Sequence, residues 1–334
     1  MNLITRYMGL RLSNPLIASA SPINGELGTL RALEDHGAGA VVLPSIFEEQ
    51  IRAEQAEHAL RTEGPANASA EAQTYFPAYG GYGFGPERYL EILRQAKDAL
   101  DIPVIASLNC ASAQGWKDYA ASLQLAGADA VELNIHFVPA DPAVDGREVE
   151  QRHLDIVSDV KAALNVPLAV KIGPCFSAVG HMATALVQAG ADGLVLFNRF
   201  HEPDIDIRTL TLSTEVELST SKETRLALQW ISILHGRIAA SLAASTGVES
   251  ADDVYKYLLA GADTVMTTSA LLRHGVKHMR VLLDGLVDLL HARRLDSLDS
   301  VRGRMSRNSL GDATALERAR YIRMLQSYRV VRPG

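Results

Sequence analysis

One phrase recurs four times along the chain and constrains its fold more than any other feature. The copies read "HGAGAVVLP" from His36, "LAGADAVEL" from Leu125, "QAGADGLVL" from Gln188 and "LAGADTVMT" from Leu259. Each copy ends a helical pattern at a glycine, the residue that most readily adopts the left-handed conformation found after a helix. A short β-rich run follows directly. The repeats therefore predict four helix-to-strand junctions.

A second kind of β-rich segment alternates with these junctions. Its four members are "SNPLIASA", "DIPVIASLN", "NVPLAVKIG" and "GRIAASLAAS". Where a proline is present it stands at the strand entrance, where it removes no ladder hydrogen bond. Amphipathic helical stretches separate the segments. We therefore predict eight strands, at residues 16–20, 40–44, 104–109, 130–135, 168–173, 193–198, 238–244 and 264–269.

Eight alternations of strand and helix imply parallel strands joined by right-handed crossovers, and this number favours closure into a barrel. We predict the α/β class, as a (β/α)8 TIM barrel over residues 1–295 of the 334-residue chain. The alternative is a doubly wound open sheet with a helical cap. It is weakened because no G-x-G-x-x-G motif follows an early strand.

Three segments exceed a minimal barrel. Residues 45–85, after strand two, are polar and then aromatic and rich in glycine, which predicts a lid or an interface loop. The segment "RFHEPDIDIRTLTLSTEVELSTSKE" after strand six predicts a short hairpin over the barrel mouth. Residues 296–334 predict a basic helical extension, packed on the barrel or on a dimer partner.

Composition narrows the partners and the compartment. With 32 basic and 39 acidic residues the formal net charge is -7, so we expect no nucleic-acid partner. Two cysteines are too few for a disulfide framework, a four-cysteine zinc site or an iron–sulfur cluster held by one chain, and we expect no metal. The N-terminus lacks an apolar core of signal-peptide length, and no stretch reaches 18 uninterrupted apolar residues. We expect a cytoplasmic protein with no membrane partner.

The fifth strand carries a single charge, Lys171, close to its far end in "NVPLAVKIGPCF". Alternate residues of a strand share a face, so Leu168, Val170 and Ile172 point one way while Ala169 and Lys171 point the other. The branched face suits packing under helices. The small face suits the crowded inside of a barrel, with its lysine at the C-terminal mouth, where active sites of this fold lie.

Polar residues of other strands are aimed at the same mouth. The inward set comprises Ser107, Asn109, Glu132, Asn134 and His136, and Asn198 ends strand six. A buried ring of amides and one lysine is costly unless something satisfies it, and a polar planar ligand would do so. After strands seven and eight, "ASTGVES" and "TTSALL" place hydroxyl groups where barrels bind phosphate.

Each of these residues also has a purely structural interpretation. Lys171 could pair with Glu132 across the barrel, and this pairing is compatible with a role at the mouth. Asn134 and Asn198 could bond loop backbone, and His136 could be a hydrogen-bonded residue of the mouth without chemistry. The serines and threonines could be ordinary helix caps.

The order of six motifs resembles one family. These motifs are "NPLIASASP", "LNIH", "AVKIGP", "LFN", "STGV" before "SADDV", and "AGADTVMTTSALL". Over roughly residues 3–290 they resemble the FMN-dependent dihydroorotate dehydrogenase family, and most of all its branch of dihydroorotate dehydrogenase-like proteins. The resemblance implies a flavoprotein oxidoreductase of pyrimidine biosynthesis that acts on CH–CH groups, oxidising dihydroorotate to orotate or a related small polar substrate. We expect a homodimer that passes electrons to an external acceptor or a redox partner protein.

The resemblance also implies the cofactor site. Lys171 matches the lysine beside the pyrimidine edge of the flavin, where a cation stabilises the reduced ring by charge-assisted hydrogen bonding. We expect Lys171, His136 and Asn134 to be the catalytic residues. The expected FMN-binding residues are Ala18, Ser19, Ser45, Asn109, Asn134, Lys171, Asn198, Ser245, Thr246, Gly247, Thr268 and Ser269.

The chain departs from the family where the substrate would react. The family base is the Cys or Ser at the fifth place of L-N-x-S-C-P-N, but Phe137 stands there and cannot take a proton. A lysine after strand two is replaced by Pro44 and the Asn that closes the motif by Pro139, so the usual orotate-binding set is incomplete. His136 is the nearest candidate base, because imidazole titrates near neutral pH. Weaker candidates on the aromatic loop are Tyr79 and Tyr82.

Two other functions remain open at this point. The first is a Schiff-base lyase or aldolase on the same barrel, with Lys171 as the nucleophile. The second is a non-catalytic flavoprotein or an electron-transfer subunit, which the missing family base motivates.

Overall fold

A computed structural model describes residues 1–52, 85–110, 116–199, 203–213, 216–308 and 313–327. The strands are, in chain order, β1 (Thr5–Tyr7), β2 (Leu10–Leu12), β3 (Leu16–Ala18), β4 (Ala40–Phe47), β5 (Val104–Cys110), β6 (Ala130–Ile135), β7 (Leu168–Ile172), β8 (Gly193–Leu196), β9 (Asp204–Asp206), β10 (Thr211–Ser213), β11 (Ser241–Ala244) and β12 (Thr264–Thr267). The α-helices are α1 (Leu27–Asp35), α2 (Pro86–Ala99), α3 (Trp116–Leu125), α4 (Gly146–Ala163), α5 (Val179–Gln188), α6 (Thr224–Leu234), α7 (Ala251–Ala260), α8 (Ser269–His274), α9 (His278–Ala292) and α10 (Ala313–Gln326).

Eight of the strands form one closed parallel barrel in the order of the chain. They are β3 to β8, β11 and β12, and β12 pairs back onto β3 through Val265 and Leu16. The (β/α)8 prediction is therefore confirmed, and the open doubly wound sheet is wrong. All eight predicted strands are present, although β4 runs on to Phe47. Pro44 has no N–H to give, and the β4–β5 register shifts between Val42 and Ser45 before pairing resumes.

The two faces of β7 behave as alternation predicts. Leu168, Val170 and Ile172 belong to the core between the barrel and its helices, whereas Ala169 belongs to a separate cluster inside the barrel. The β1–β2 hairpin also contributes to the inner cluster, through side chains that include the fully buried Tyr7. This hairpin covers the N-terminal ends of the barrel strands, whereas active sites of this fold lie at the C-terminal mouth.

The four predicted junctions have the predicted backbone. Their glycines adopt positive φ angles of 90° at Gly37, 98° at Gly127, 117° at Gly190 and 116° at Gly261. In three copies the aspartate that follows accepts the N–H at the start of a neighbouring strand. These bonds join Val104 to Asp129 (2.7 Å), Leu168 to Asp192 (2.8 Å) and Leu242 to Asp263 (2.8 Å).

The first copy has Gly39 in place of the aspartate, and Asn14 takes over its role. The Asn14 side chain accepts the N–H of Leu16 at 2.9 Å and donates to the carbonyl of Gly37 at 2.9 Å. A Cβ atom at position 39 would overlap the backbone carbonyl oxygen of Asn14. Glycine is therefore required there by close backbone approach.

One addition to the barrel follows β8 and another follows α9. β9 and β10 form the antiparallel hairpin predicted after strand six, and residues 216–219 line the mouth. The C-terminal segment inserts Leu298 and Val301 into the outer core and donates from Arg307 N to the carbonyl of Ser232. Most of the predicted 45–85 lid lies outside the described residues.

Across the described ranges, no helix has both the length and the apolar character needed to cross a membrane.

We predict opposite effects for two glycine substitutions. Gly39→Ala should lower the free energy of unfolding by about 2 kcal/mol or more, since a methyl group there forces backbone apart. Gly28 is an exposed residue of α1, and no atom lies near the new Cβ. Gly28→Ala should therefore raise the free energy of unfolding by about 0.5 kcal/mol through helix propensity. Urea unfolding of both variants measures the difference. Equal effects would contradict the assignment of Gly39 to a steric requirement.

Candidate active site

A cavity of about 370 Å³ opens at the C-terminal mouth of the barrel. Its wall comes from the strand ends and from the insertion after β8. The predicted site residues on this wall are Ser45, Asn109, Asn134, His136, Lys171, Asn198, Ser245, Thr246, Gly247, Thr268 and Ser269. One enclosure therefore brings together most of the positions predicted separately along the sequence.

Two predicted residues are not on the wall. Ala18 and Ser19 are both buried, and Ala20 lines the cavity in their place. Ser19 nevertheless touches the site from below, because the Lys171 ammonium donates to its hydroxyl at 3.4 Å.

Three polar residues of neighbouring strands fall in one row of the barrel. Asn109 of β5 is in register with Asn134 of β6, which is in register with Lys171 of β7. Residues in one row point to the same face of the sheet. If one of these side chains points into the barrel, the other two do so as well. The row places two amides and one ammonium on the cavity wall.

Beneath this row lies a buried carboxylate, Glu132. Its side chain is 1% exposed and lies 3.9 Å from the Lys171 ammonium. The ion pair across the barrel, which is the structural interpretation of Lys171, is therefore present. Neither carboxylate oxygen has a hydrogen-bond partner among the described residues. Burial raises the pKa of Glu132 above that of an ordinary carboxyl, and the charge of Lys171 offsets part of the rise. The pairing supports Lys171 from below and leaves it on the cavity wall.

Asn134 and Asn198 orient each other. The Asn198 amide donates to the Asn134 side-chain oxygen at 2.8 Å. The backbone N–H of Asn198 donates to the carbonyl of Ile172 at 2.7 Å, which holds it beside β7. The two side-chain amides are thus bonded to one another. In this bond the partner of Asn198 is the side chain of Asn134 and not the backbone of a loop.

The turn after β11 has a rare backbone conformation. Thr246 and Gly247 have φ angles of 79° and 73°, and a positive φ is strained for a β-branched residue. Two hydrogen bonds hold Thr246 in place. The Thr246 hydroxyl donates to the carbonyl of Phe197 at 2.9 Å, and the Tyr257 hydroxyl donates to the carbonyl of Thr246 at 2.8 Å. The turn is built for a fixed presentation of its polar groups.

Ser219 is a residue of the mouth that sequence reasoning missed. Its hydroxyl donates to Ser269 Oγ at 2.9 Å and accepts the Gly247 N–H at 3.2 Å. It arrives on the insertion after β8, where "ELSTSKE" contains several hydroxyls and no periodicity selects the one that reaches the cavity. Together these groups make a corner of neutral donors, the kind of set that binds phosphate.

The loop after β6 separates His136 from Phe137. His136 lines the cavity. Phe137 does not; its ring lies 5.2 Å from that of His153, and the Arg152 guanidinium carbon is 4.3 Å from its centroid. The side chain at the family's base position therefore packs against α4, and the preceding imidazole takes the place on the wall. Tyr79 and Tyr82 lie outside the described residues.

Comparison with known proteins decides the family. The model of the dihydroorotate dehydrogenase family matches residues 2–290. The chain belongs to the dihydroorotate dehydrogenase family. It is an oxidoreductase of the type that family contains, flavin-dependent and acting on CH–CH groups, so the recognition made from the motifs is confirmed.

Individual relatives are distant but cover nearly the whole chain. The chain is 26% identical to a dihydroorotate dehydrogenase B (NAD(+)) catalytic subunit of Methanocaldococcus jannaschii, over 90% of this chain and 96% of that protein. It is 29% identical to the subunit of the same name in Methanocella arvoryzae, over 79% and 85%. It is 24% identical to the NAD-dependent dihydropyrimidine dehydrogenase subunit PreA of Escherichia coli, over 94% and 79%.

A buried acid on α7 supports the donor corner. Asp253 Oδ2 accepts the hydroxyls of Ser221 at 2.6 Å and Ser250 at 2.8 Å, which ties the insertion to the turn that leads from β11. Burial raises the pKa of Asp253, but the hydrogen bonds from Ser221, Ser250 and Lys256 outweigh that effect, so the net pKa is lowered. The carboxylate is therefore stabilised in its charged form.

We predict a pH-dependent loss of stability for Asp253→Asn. A lowered native pKa contributes stability that is present above the unfolded pKa and lost as the pH falls through the native value. The variant should lose about 2 kcal/mol of unfolding free energy at pH 7, and this deficit should shrink as the pH falls below the ordinary aspartate value of 3.8 towards the lowered native pKa. Urea unfolding across that range measures it. Asp252→Asn, on the exposed side of the same turn, is the control, and a deficit independent of pH would contradict the argument.

Proposed function

We propose that this chain binds FMN at the barrel mouth and uses it to oxidise or reduce a small polar substrate, with dihydroorotate as the first candidate. The observation that carries the proposal is the convergence on one cavity of two groups distant in sequence. The first group is the Asn109, Asn134 and Lys171 row, and the second is the donor corner around Ser219 and Gly247.

The residues of the cavity fit FMN. A flavin phosphate requires N–H and hydroxyl donors, which the corner supplies, and a flavin ring requires amides and a cation at its polar edge. Among the described residues of the wall, one is acidic, Glu217, and its side chain is exposed to solvent. The wall therefore offers an anionic cofactor donors and cations, with little opposing charge.

The roles proposed for the side chains follow from their positions. FMN, when bound, supplies the ring that exchanges a hydride with the substrate carbon. The Lys171 ammonium stabilises negative charge that develops near it, and its attraction is strong because the Lys171 side chain is only 10% exposed. Asn134 and Asn198 orient the substrate through amides that are already fixed. A ring nitrogen of His136 takes the substrate proton, since Phe137 can neither accept one nor reach the cavity.

The identities of the substrate and of the electron acceptor are further parts of this proposal. Pro44 and Pro139 replace polar residues expected for orotate, so dihydroorotate and dihydropyrimidines are both to be assayed. The names of the relatives describe subunits, and this chain has only two cysteines, which cannot hold a four-cysteine cluster. We therefore propose that electrons leave to an external acceptor or to a redox partner protein. The homodimer and the cytoplasmic location stay predictions. The Schiff-base alternative is not favoured, because the family consists of flavin enzymes.

We predict that purified protein binds FMN and shows flavin absorbance in the visible. Lys171→Gln should weaken FMN binding about tenfold, since a charge-assisted bond to the ring is lost. Lys222→Gln, at an exposed lysine of the segment after β8, is the control and should bind like the wild type. Fluorescence titration with FMN gives both constants. A colourless wild type that takes up no added FMN would overturn the proposed function.

We predict that His136→Asn slows flavin reduction by about a hundredfold while FMN content stays at the wild-type level, because only the proton acceptor is removed. Stopped-flow mixing of the oxidised holoprotein with dihydroorotate, or with a dihydropyrimidine, measures the rate and its pH profile. His181→Asn, at an exposed position of α5, controls for loss of an imidazole elsewhere. An unchanged rate excludes His136 as the base, and no reduction of the wild type by any small substrate favours the electron-transfer alternative.

A further inference from the structure

Arg199 is a cation of the cavity wall that neither the family motifs nor the proposed flavin site uses. It follows Asn198 directly, and its side chain is 27% exposed. Its Nε donates to Glu223 Oε2 at 2.9 Å. The other oxygen of that carboxylate accepts the Thr220 N–H at 2.9 Å, within a capping box. Glu223 is therefore fixed to backbone and holds the arginine from one side.

The contact with Glu223 leaves the far end of the guanidinium available. Only Nε is engaged, and the described residues provide no hydrogen-bond partner for the two terminal nitrogens. These nitrogens form a planar fork whose geometry matches the two oxygens of a carboxylate. A fork held at its base and open at its tip is arranged for binding.

A purely structural ion pair explains this arrangement less well. The Glu223 side chain is 33% exposed, and a partly exposed ion pair contributes little to stability. The polar residues expected at two orotate-binding positions are absent, as Pro44 and Pro139 show. The lysine and arginine residues of the described wall are Lys171, which the proposed flavin site uses, and Arg199. An anionic substrate entering this cavity would then meet the open terminal nitrogens of Arg199.

We propose that Arg199 is a specificity-determining residue that receives the carboxylate of a small planar substrate through its terminal nitrogens, and that Glu223 is its positioning residue. The inference rests on the proposed function, since the substrate occupies the same cavity. In this proposal the segment after β8 selects a substrate that bears a carboxylate. The family uses a lysine after strand two, where this chain has Pro44.

Paired ligands that differ only by a carboxylate test the proposal. Orotate against uracil and nicotinate against nicotinamide are titrated into the purified protein by calorimetry, with and without added FMN, and by difference spectra of the flavin where it is bound. The variants are Arg199→Gln, Arg199→Lys and Glu223→Gln. Arg208→Gln, at the exposed tip of the β9–β10 hairpin, is the matched control.

The wild type should bind the carboxylate member of at least one pair more tightly than its neutral partner. Arg199→Gln should weaken the carboxylate about tenfold and leave the neutral ligand unchanged, since only a charge-assisted bond is lost. Arg199→Lys should recover part of the affinity, Glu223→Gln should lose less than Arg199→Gln, and Arg208→Gln should match the wild type. Equal loss for both members of a pair, no loss, or no heat with either carboxylate overturns the inference. Failure of the proposed function shows separately, as absence of FMN uptake.

Discussion

A closed sheet has no free edge, so each of its eight strands must begin at one defined height for the next to pair with it. The acceptors at the junctions meet this requirement: Asp129, Asp192 and Asp263 each bond the N–H at the start of a neighbouring strand. Asn14 does the same for β3. Each bond satisfies a buried backbone donor and aligns one strand with the next. These bonds help to fix the register in which the barrel closes.

The barrel has a plugged end and a polar end. The β1–β2 hairpin fills the N-terminal end with Tyr7, Met8 and Leu12, and small residues such as Ala169 complete the inner core. Above this core the inward positions become polar, first Glu132 and then Asn134 and Lys171. A lysine can lie so deep because Glu132 lies 3.9 Å from it, and an unpaired charge at that depth would be prohibitively costly. The apolar core and the polar mouth are thus consecutive layers of the same strands.

The segment after β8 contributes two groups to the wall of the mouth. Ser219 closes the donor corner on one side, and Arg199, held by Glu223, adds a cation to the wall. Asp253 ties this segment to the turn after β11 through Ser221. An insertion that only extends a connection would not need such anchoring. Its bonds make it part of the site, so that the region which varies most among barrels can determine which ligand is accepted.

The sequence by itself determined the barrel, its strands and the inward direction of Asn109, Asn134 and Lys171, because glycine chemistry and two-residue alternation are local properties of the chain. Tertiary structure alone decided which residues between the strands reach the cavity. It brought in Ser219, kept Ala18 and Ser19 below the wall, bonded Asn198 to Asn134, and turned Phe137 onto α4 while His136 stayed at the mouth. The direction of a loop side chain follows from contacts with elements far away in sequence, and no periodicity within the loop encodes them.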